Sequence, residues 1–225
     1  MAPENTLAAF RLGAQHGFRA FECDVKISAD GMAFLLHDTE LKRTTGEPGI
    51  AEEQPWAQLS RLDAGRWHGP EYAGEPIPSL SDIARFCFET DSDLNIEIKP
   101  SPGNEAHTGA SVASEAARLW VEQARVPLLS SFSISALEAA RAAAPHLPRA
   151  LLLDELLPGW LEQARELDCC AVVMDHLLLD ASVVDRLHAA GLFVMSYTVN
   201  DAAVAERLLR WGVDGLITDV MDRAA

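Results

Sequence analysis

The sequence predicts an α/β barrel of the (β/α)8 TIM type, and three observations carry that prediction. From residue 81 onward, short apolar strands alternate with amphipathic helices, which is the pattern of a parallel sheet. No glycine-rich phosphate fingerprint follows any of those strands, which disfavours a doubly wound sheet. Polar residues stand at successive strand C-terminal ends instead, at Asp24, Lys99, Ser131, Asp175, Asn200 and Asp219, where barrel enzymes carry their sites.

The chain opens with Pro3-Glu4-Asn5-Thr6, in which Asn5 and Thr6 read as helix caps. Leu7, Phe10 and Ala14 then form the buried stripe of a helix that Gly17 ends. In a strand at 21–24, Glu22 and Asp24 share one face and Cys23 takes the other. Asp30-Gly31 is a two-residue hairpin signal. Folding about it pairs residues whose numbers sum to 61, which sets His37 opposite Asp24. Residues 39–79 are rich in Gly and Pro yet carry Trp56, Trp67 and Tyr72, so they read as a folded insertion over the active-site face.

Helices are then expected over 81–89, 110–125, 133–143, 158–167, 180–190 and 201–211. Asp180 and Asp201 cap the last two, and Gly191 and Gly212 stop them. Strands fall between them at 94–99, 128–132, 150–153, 171–174, 193–199 and 215–218. With 21–24 these make seven parallel strands if 34–38 is the return arm of the hairpin, one short of a barrel.

Composition sets the class. A chain of 225 residues, 48% hydrophobic and 23% charged, has the size of one globular domain spanning 1–225. A formal charge of −16 opposes nucleic-acid binding, because a surface that covers phosphates must be basic. No apolar run has the length of a membrane span, and the N-terminus lacks the basic and apolar regions of a secretion signal. Cys23, Cys87, Cys169 and Cys170 have neither metal-ligand spacing nor a disulfide framework, and read as reduced core residues of a cytoplasmic protein.

Residues 94–100 add a second polar strand face carrying Glu97 and Lys99, with Ile96 and Ile98 on the other side. Three carboxylates, Glu22, Asp24 and Glu97, without clustered Cys or His, suit one hard divalent cation, Mg²⁺ or Ca²⁺, rather than zinc. Lys99 would pair with a neighbouring carboxylate or hold an anionic oxygen of a ligand. His37 is the natural proton carrier near neutral pH. Taken alone, the hairpin is equally an edge element with a solvated face, and the second strand's carboxylate favours a site.

Several runs resemble the glycerophosphodiester phosphodiesterases: Ala2-Pro3-Glu4-Asn5-Thr6, Glu22-x-Asp24, His37-Asp38, Leu41-Lys42-Arg43-Thr44-Thr45-Gly46, Asp63-Ala64-Gly65-x-Trp67 and Gly74-Glu75-x-Ile77-Pro78-x-Leu80. So do Ile96-Glu97-Ile98-Lys99-Pro100, Ser130-Ser131-Phe132, Tyr197-Thr198-Val199-Asn200 and Gly215-Leu216-Ile217-Thr218-Asp219, in order and nearly end to end. The resemblance implies a phospholipase-C-like phosphodiesterase barrel that hydrolyses a small glycerophosphodiester to glycerol 3-phosphate and an alcohol. It implies Glu22, Asp24 and Glu97 as metal ligands, His37 as a catalytic residue, and Lys99, Phe132, Tyr197 and Trp67 as substrate contacts. In that family a strand ending in His-Arg-Gly precedes the Pro-Glu-Asn-Thr motif, whereas Met1 stands directly before Ala2-Pro3 here. The first strand and its His and Arg are therefore expected to be missing. Their loss would open strand edges to pairing with a second copy of the chain and would impair turnover.

Overall fold

The computed structural model of the chain describes residues 1–221. Eight strands form one sheet: β1 Ala20–Ile27, β2 Ala33–Leu35, β3 Asp93–Ile98, β4 Leu128–Ser131, β5 Arg149–Leu153, β6 Ala171–Asp175, β7 Phe193–Tyr197 and β8 Gly215–Leu216. Their order is β2-β1-β3-β4-β5-β6-β7-β8. The seven other than β2 run parallel, and β2 returns antiparallel along β1 as the hairpin's second arm. The described ladders end at β2 and β8. The sheet is nonetheless curled, because Met221, just past β8, lies against Gly13 beside Phe21 of β1.

Nine helices accompany the sheet among the described residues: α1 Leu7–Gln15, α2 Lys42–Thr45, α3 Trp56–Leu59, α4 Leu80–Thr90, α5 Glu105–Leu119, α6 Ile134–Ala143, α7 Trp160–Glu166, α8 Ala181–Ala189 and α9 Ala202–Arg210. Strand side chains alternate between two cores. Ala150, Leu152, Ala171 and Val173 pack inside the curl with Met195, Tyr197 and Ile217. Their sequence neighbours Leu151, Val172 and Met174 pack outward with helix residues such as Leu137, Val184 and Leu208. A capping box opens α4: Ser79 Oγ accepts from the Asp82 amide, and Asp82 accepts from the Ser79 amide. Residues 39–79 form α2, α3 and two short 3-10 turns around a small core of their own, with Leu41, Ala51, Leu59, Ala64 and Ile77 against Phe34 and Leu36.

Two expectations are corrected. The helix expected over 110–125 runs from Glu105 to Leu119. Thr108, Val112, Ala113 and Ala116 give it a buried stripe, whereas residues 121–126 are all exposed and no packing holds them helical. Gly109 sits where α5 crosses α6, and a Cβ there would come within 2.2 Å of the Ala136 carbonyl oxygen.

The second correction concerns the hairpin register. Val25 pairs with Leu35, Lys26 with Phe34 and Ile27 with Ala33, so the paired numbers sum to 60 and not 61. The Ser28 amide donates to the Met32 carbonyl at 2.9 Å, which leaves a three-residue loop of Ala29, Asp30 and Gly31. Gly31 holds φ +87 at the end of that loop, the left-handed residue that such loops require. The residue opposite Asp24 is therefore Leu36, whose amide donates to the Asp24 carbonyl at 3.1 Å, and His37 lies one step beyond.

Nothing lies within 4 Å of a Cβ built at Gly31, so the effect of Gly31→Val comes from backbone strain alone. The expected loss is about 1–3 kcal/mol of stability, read as a lower urea midpoint.

Candidate active site

Parallel pairing of β1 with β3 sets Asp24 beside Glu97, and Glu22 shares their face two residues earlier along β1. One oxygen from each of the three carboxylates lies within 4.8 Å of the others. Asp24 and Glu97 are buried, and Glu22 is half-buried. Burial pushes Glu22 well above the ordinary carboxylate range, and the charges of Asp24 and Glu97 push it further. Glu97 is raised by burial and then by Asp24. The charge of Asp219, just past β8, raises Glu22 slightly more.

One cation sits among these anions. Lys99 Nζ lies 2.6 Å from Glu97 Oε1 and 3.3 Å from Asp24 Oδ1. Burial pulls the Lys99 pKa down, but Asp24 and Glu97 outweigh it and hold the ammonium above its usual value. Three carboxylates and one ammonium carry a formal charge of −3 + 1 = −2, which one divalent cation cancels. All-oxygen donors of that charge fit a hard ion, and among the described residues no thiol or imidazole joins the cluster.

Asn5 fixes the central carboxylate. Its Nδ2 donates to Asp24 Oδ2 at 2.8 Å, and its Oδ1 accepts from the Asp24 amide at 2.9 Å. The expectation that Asn5 is a helix cap is corrected here. Thr6 is the N-cap, accepting from the Ala9 amide, and Asn5 sits at φ +54, a left-handed conformation that asparagine tolerates. Asn5→Ala would free one Asp24 oxygen to rotate. It is expected to weaken divalent-ion binding about 10–100-fold in calorimetry, the range for partners that orient a ligating carboxylate.

A cavity of about 1090 Å³ opens over Glu97 and Lys99, and His37, Asp38, Arg43 and Phe132 line it. His37 is half-exposed, and its Nδ1 lies 2.8 Å from Asp38 Oδ1. Arg43 grips Asp38 from the other side, with Nε 2.5 Å from Oδ2 and Nη2 3.1 Å from Oδ1. The hydrogen bond from Arg43 holds the Asp38 carboxyl down at about 2, against a smaller opposing effect of burial.

Of the residues singled out in the sequence, the fold brings Glu22, Asp24, Glu97 and Lys99 into contact and sets His37 and Phe132 on the same cavity wall. Lys99 Nζ sits 5.5 Å from the centre of the Phe132 ring. Tyr197 stands behind that ring, edge-on at 5.8 Å, with its hydroxyl donating to the Leu153 carbonyl. Trp67 does not line the cavity. Its indole donates to the Ala64 carbonyl at 2.9 Å, and its ring packs 5.7 Å from the Arg43 guanidinium.

Sequence reading passed over Lys26, although its position two residues after Asp24 puts it on the same strand face. Lys26 is almost wholly buried and lines the cavity, with its Nζ donating to the Lys99 carbonyl at 2.8 Å. No local pattern paired Asn5 with Asp24 or Arg43 with Glu4, because those partners lie 19 and 39 residues apart.

The family model described as the glycerophosphoryl diester phosphodiesterase family matches residues 1–223. A glycerophosphodiester phosphodiesterase of Caldanaerobacter subterraneus subsp. tengcongensis is 31% identical over 222 residues, covering 96% of this chain and 88% of the relative. A second, from Bacillus altitudinis, is 29% identical, with coverage of 99% and 91%. Among solved structures, an Oleispira antarctica phosphodiesterase in complex with the product sn-glycerol-3-phosphate superposes with a TM-score of 0.90 at 35% identity, covering 97% of this chain and 88% of that one. A glycerophosphodiester phosphodiesterase from Agrobacterium tumefaciens gives 0.84 at 27%, covering 99% and 93%.

Proposed function

The chain belongs to the glycerophosphoryl diester phosphodiesterase family, and from that premise we propose that it hydrolyses a water-soluble glycerophosphodiester to glycerol 3-phosphate and an alcohol at the cavity over Glu97 and Lys99. Membership makes it a phosphoric diester hydrolase. The observation that carries the site assignment is the carboxylate triad, which with Lys99 carries a net charge of −2 and whose Glu97 lines the same cavity as His37 and Lys99.

Glu22, Asp24 and Glu97 would hold the cation, Mg²⁺ or Ca²⁺, which when bound offsets phosphate charge and polarises a phosphate oxygen. Lys99 binds another phosphate oxygen, and its contact with Glu97 keeps the ammonium aimed at the anion site. Water adds to phosphorus, and the bond from phosphorus to the alcohol oxygen breaks. His37 transfers the proton, giving one to the leaving alkoxide or taking one from the attacking water. Phe132, backed by Tyr197, forms an apolar wall beside the phosphate, and Trp67 borders the site through Arg43. Residues 39–79 roof this face as an insertion within a single domain.

The surrounding chemistry fits a small substrate. A formal charge of −16 opposes nucleic acid. No helix among the described residues is long and apolar enough to cross a membrane. We place the protein in the cytoplasm, on the support of four free cysteines.

One observation favours a second reading. Among the described residues His37 is the only histidine lining the cavity, and no ladder joins β8 to β1. A barrel closed by one further strand bearing a second histidine would supply the partner acid or base. With the sheet left open there, the reading is a slow homologue that binds metal and diester and whose open edges invite pairing with a second copy.

One experiment separates the readings. Incubation with glycerophosphocholine and Mg²⁺ or Ca²⁺ is expected to release choline and glycerol 3-phosphate. Release of choline phosphate would overturn the reaction assigned here. Divalent binding in calorimetry with no release above the metal-free rate would select the slow homologue.

A further inference from the structure

Building on the assignment of His37 as proton carrier, we propose that Glu4 and Arg43 are positioning residues for catalysis. A run of charge-assisted hydrogen bonds, Glu4 to Arg43 to Asp38 to His37, fixes the imidazole with its proton on Nδ1 and leaves Nε2 free for the substrate. Arg43 is the hub. Its Nη1 and Nη2 donate to Glu4 Oε2 and Oε1 at 2.8 and 2.6 Å, and its Nε and Nη2 grip both oxygens of Asp38. The planar fork of a guanidinium can bridge two carboxylates in this way, and a lysine cannot. The Trp67 ring packs on this guanidinium and restricts its rotation.

Stability does not account for the arrangement. The Arg43, Glu4 and Asp38 side chains are 44%, 37% and 28% exposed. Ion pairs so well solvated typically contribute about 0–1 kcal/mol. What the run does control is direction. A neutral imidazole carries its proton on either nitrogen, and an ionised carboxylate beside Nδ1 selects the form in which Nδ1 donates. Among the described residues Asp38 is the one group hydrogen-bonded to the ring, although Lys26, Glu40, Lys42, Glu97, Lys99 and Glu105 also line the cavity. With Asp38 held on its far side by Arg43, the ring cannot turn to place Nδ1 over the substrate. Glu4 precedes α1 and Arg43 lies in α2, so the run also ties residues 39–79 to the start of the chain.

The test uses the full chain with ¹⁵N-labelled histidine and no metal, with the His37 signals assigned by their loss in His37→Asn. The native protein is expected to show neutral His37 mainly in the Nδ1–H form. Glu4→Ala and Arg43→Lys should each shift it to a mixture. In glycerophosphocholine hydrolysis the same variants should lose about 10–100-fold in kcat with KM changed less than about threefold. Asp38→Asn should show the same split, and adding Glu4→Ala to it should cost little more. Divalent binding in calorimetry should be unchanged throughout. Arg43→Lys keeps the cation and carries the test should Glu4→Ala fail to fold. A native Nε2–H tautomer, or an unaltered His37 spectrum in both variants, would overturn the proposal. The spectrum decides the point even for a protein that turns nothing over, so its outcome is distinct from that of the function test.

Discussion

Glu97→Ala is expected to abolish the proposed divalent-ion binding, the largest change in affinity expected of any single substitution in this chain. In the proposed site Glu97 supplies one of three anionic ligands, and it also occupies Lys99, whose Nζ lies 2.6 Å from it and 3.3 Å from Asp24. Removing Glu97 lowers the net charge of the cluster from −2 to −1 and frees the ammonium to move fully onto Asp24, where it competes with the ion. Loss of a ligand and gain of a competitor act together. Calorimetry with Mg²⁺ or Ca²⁺ should show one site per chain in the native protein and none in the variant. Thermal melts give a second readout. At a hundredfold excess over Kd, binding should stabilise the native protein by about 2.7 kcal/mol, or about 5–10 °C for a chain of this size. The variant should show no such rise. Its metal-free Tm should stay close to the native one, because the lost carboxylate was crowded by Asp24 and raised by burial. Undiminished binding would remove Glu97 from the ligand set.

His37→Ala is expected to lower kcat about 10²–10⁴-fold, the usual effect of removing a positioned acid-base group, if His37 is the proton carrier proposed above. Metal affinity should be retained within a factor of about two, because the cluster formed by Glu22, Asp24 and Glu97 contains no imidazole. The substitution is mild for the fold, since His37 is half-exposed and its one side-chain partner, Asp38, keeps Arg43. Activity and stability should therefore separate, with a large loss of rate and a near-native melt. Native turnover in the variant, with contaminating enzyme excluded by mass, would leave the proton to a carboxylate or to water.

How much of this was legible in the sequence depends on the range of each interaction. The triad was legible because the period of two along a strand is local. Glu22-x-Asp24 and Glu97-x-Lys99 each declare a shared face, and parallel pairing of two neighbouring strands does the rest. The strand-helix alternation and the caps at Asp180 and Asp201 were legible for the same reason, as each is written within a few residues.

The hairpin shows where local reading stops. Asp30-Gly31 marks a turn, but whether two or three residues form the loop depends on which amide closes it. The Ser28 to Met32 bond chose three and moved His37 one place past Asp24. Tertiary structure alone joined Asn5 to Asp24 across 19 residues and Arg43 to Glu4 across 39. It also set Trp67 behind Arg43 and Tyr197 behind Phe132, positions that no periodicity encodes. The sequence by itself determined the inventory of charges and the strand faces that carry them, since side-chain direction follows from backbone repeat. The fold decided which of those charges meet, because a hydrogen bond between distant residues forms only after packing has brought their backbones within reach and excluded the competing water.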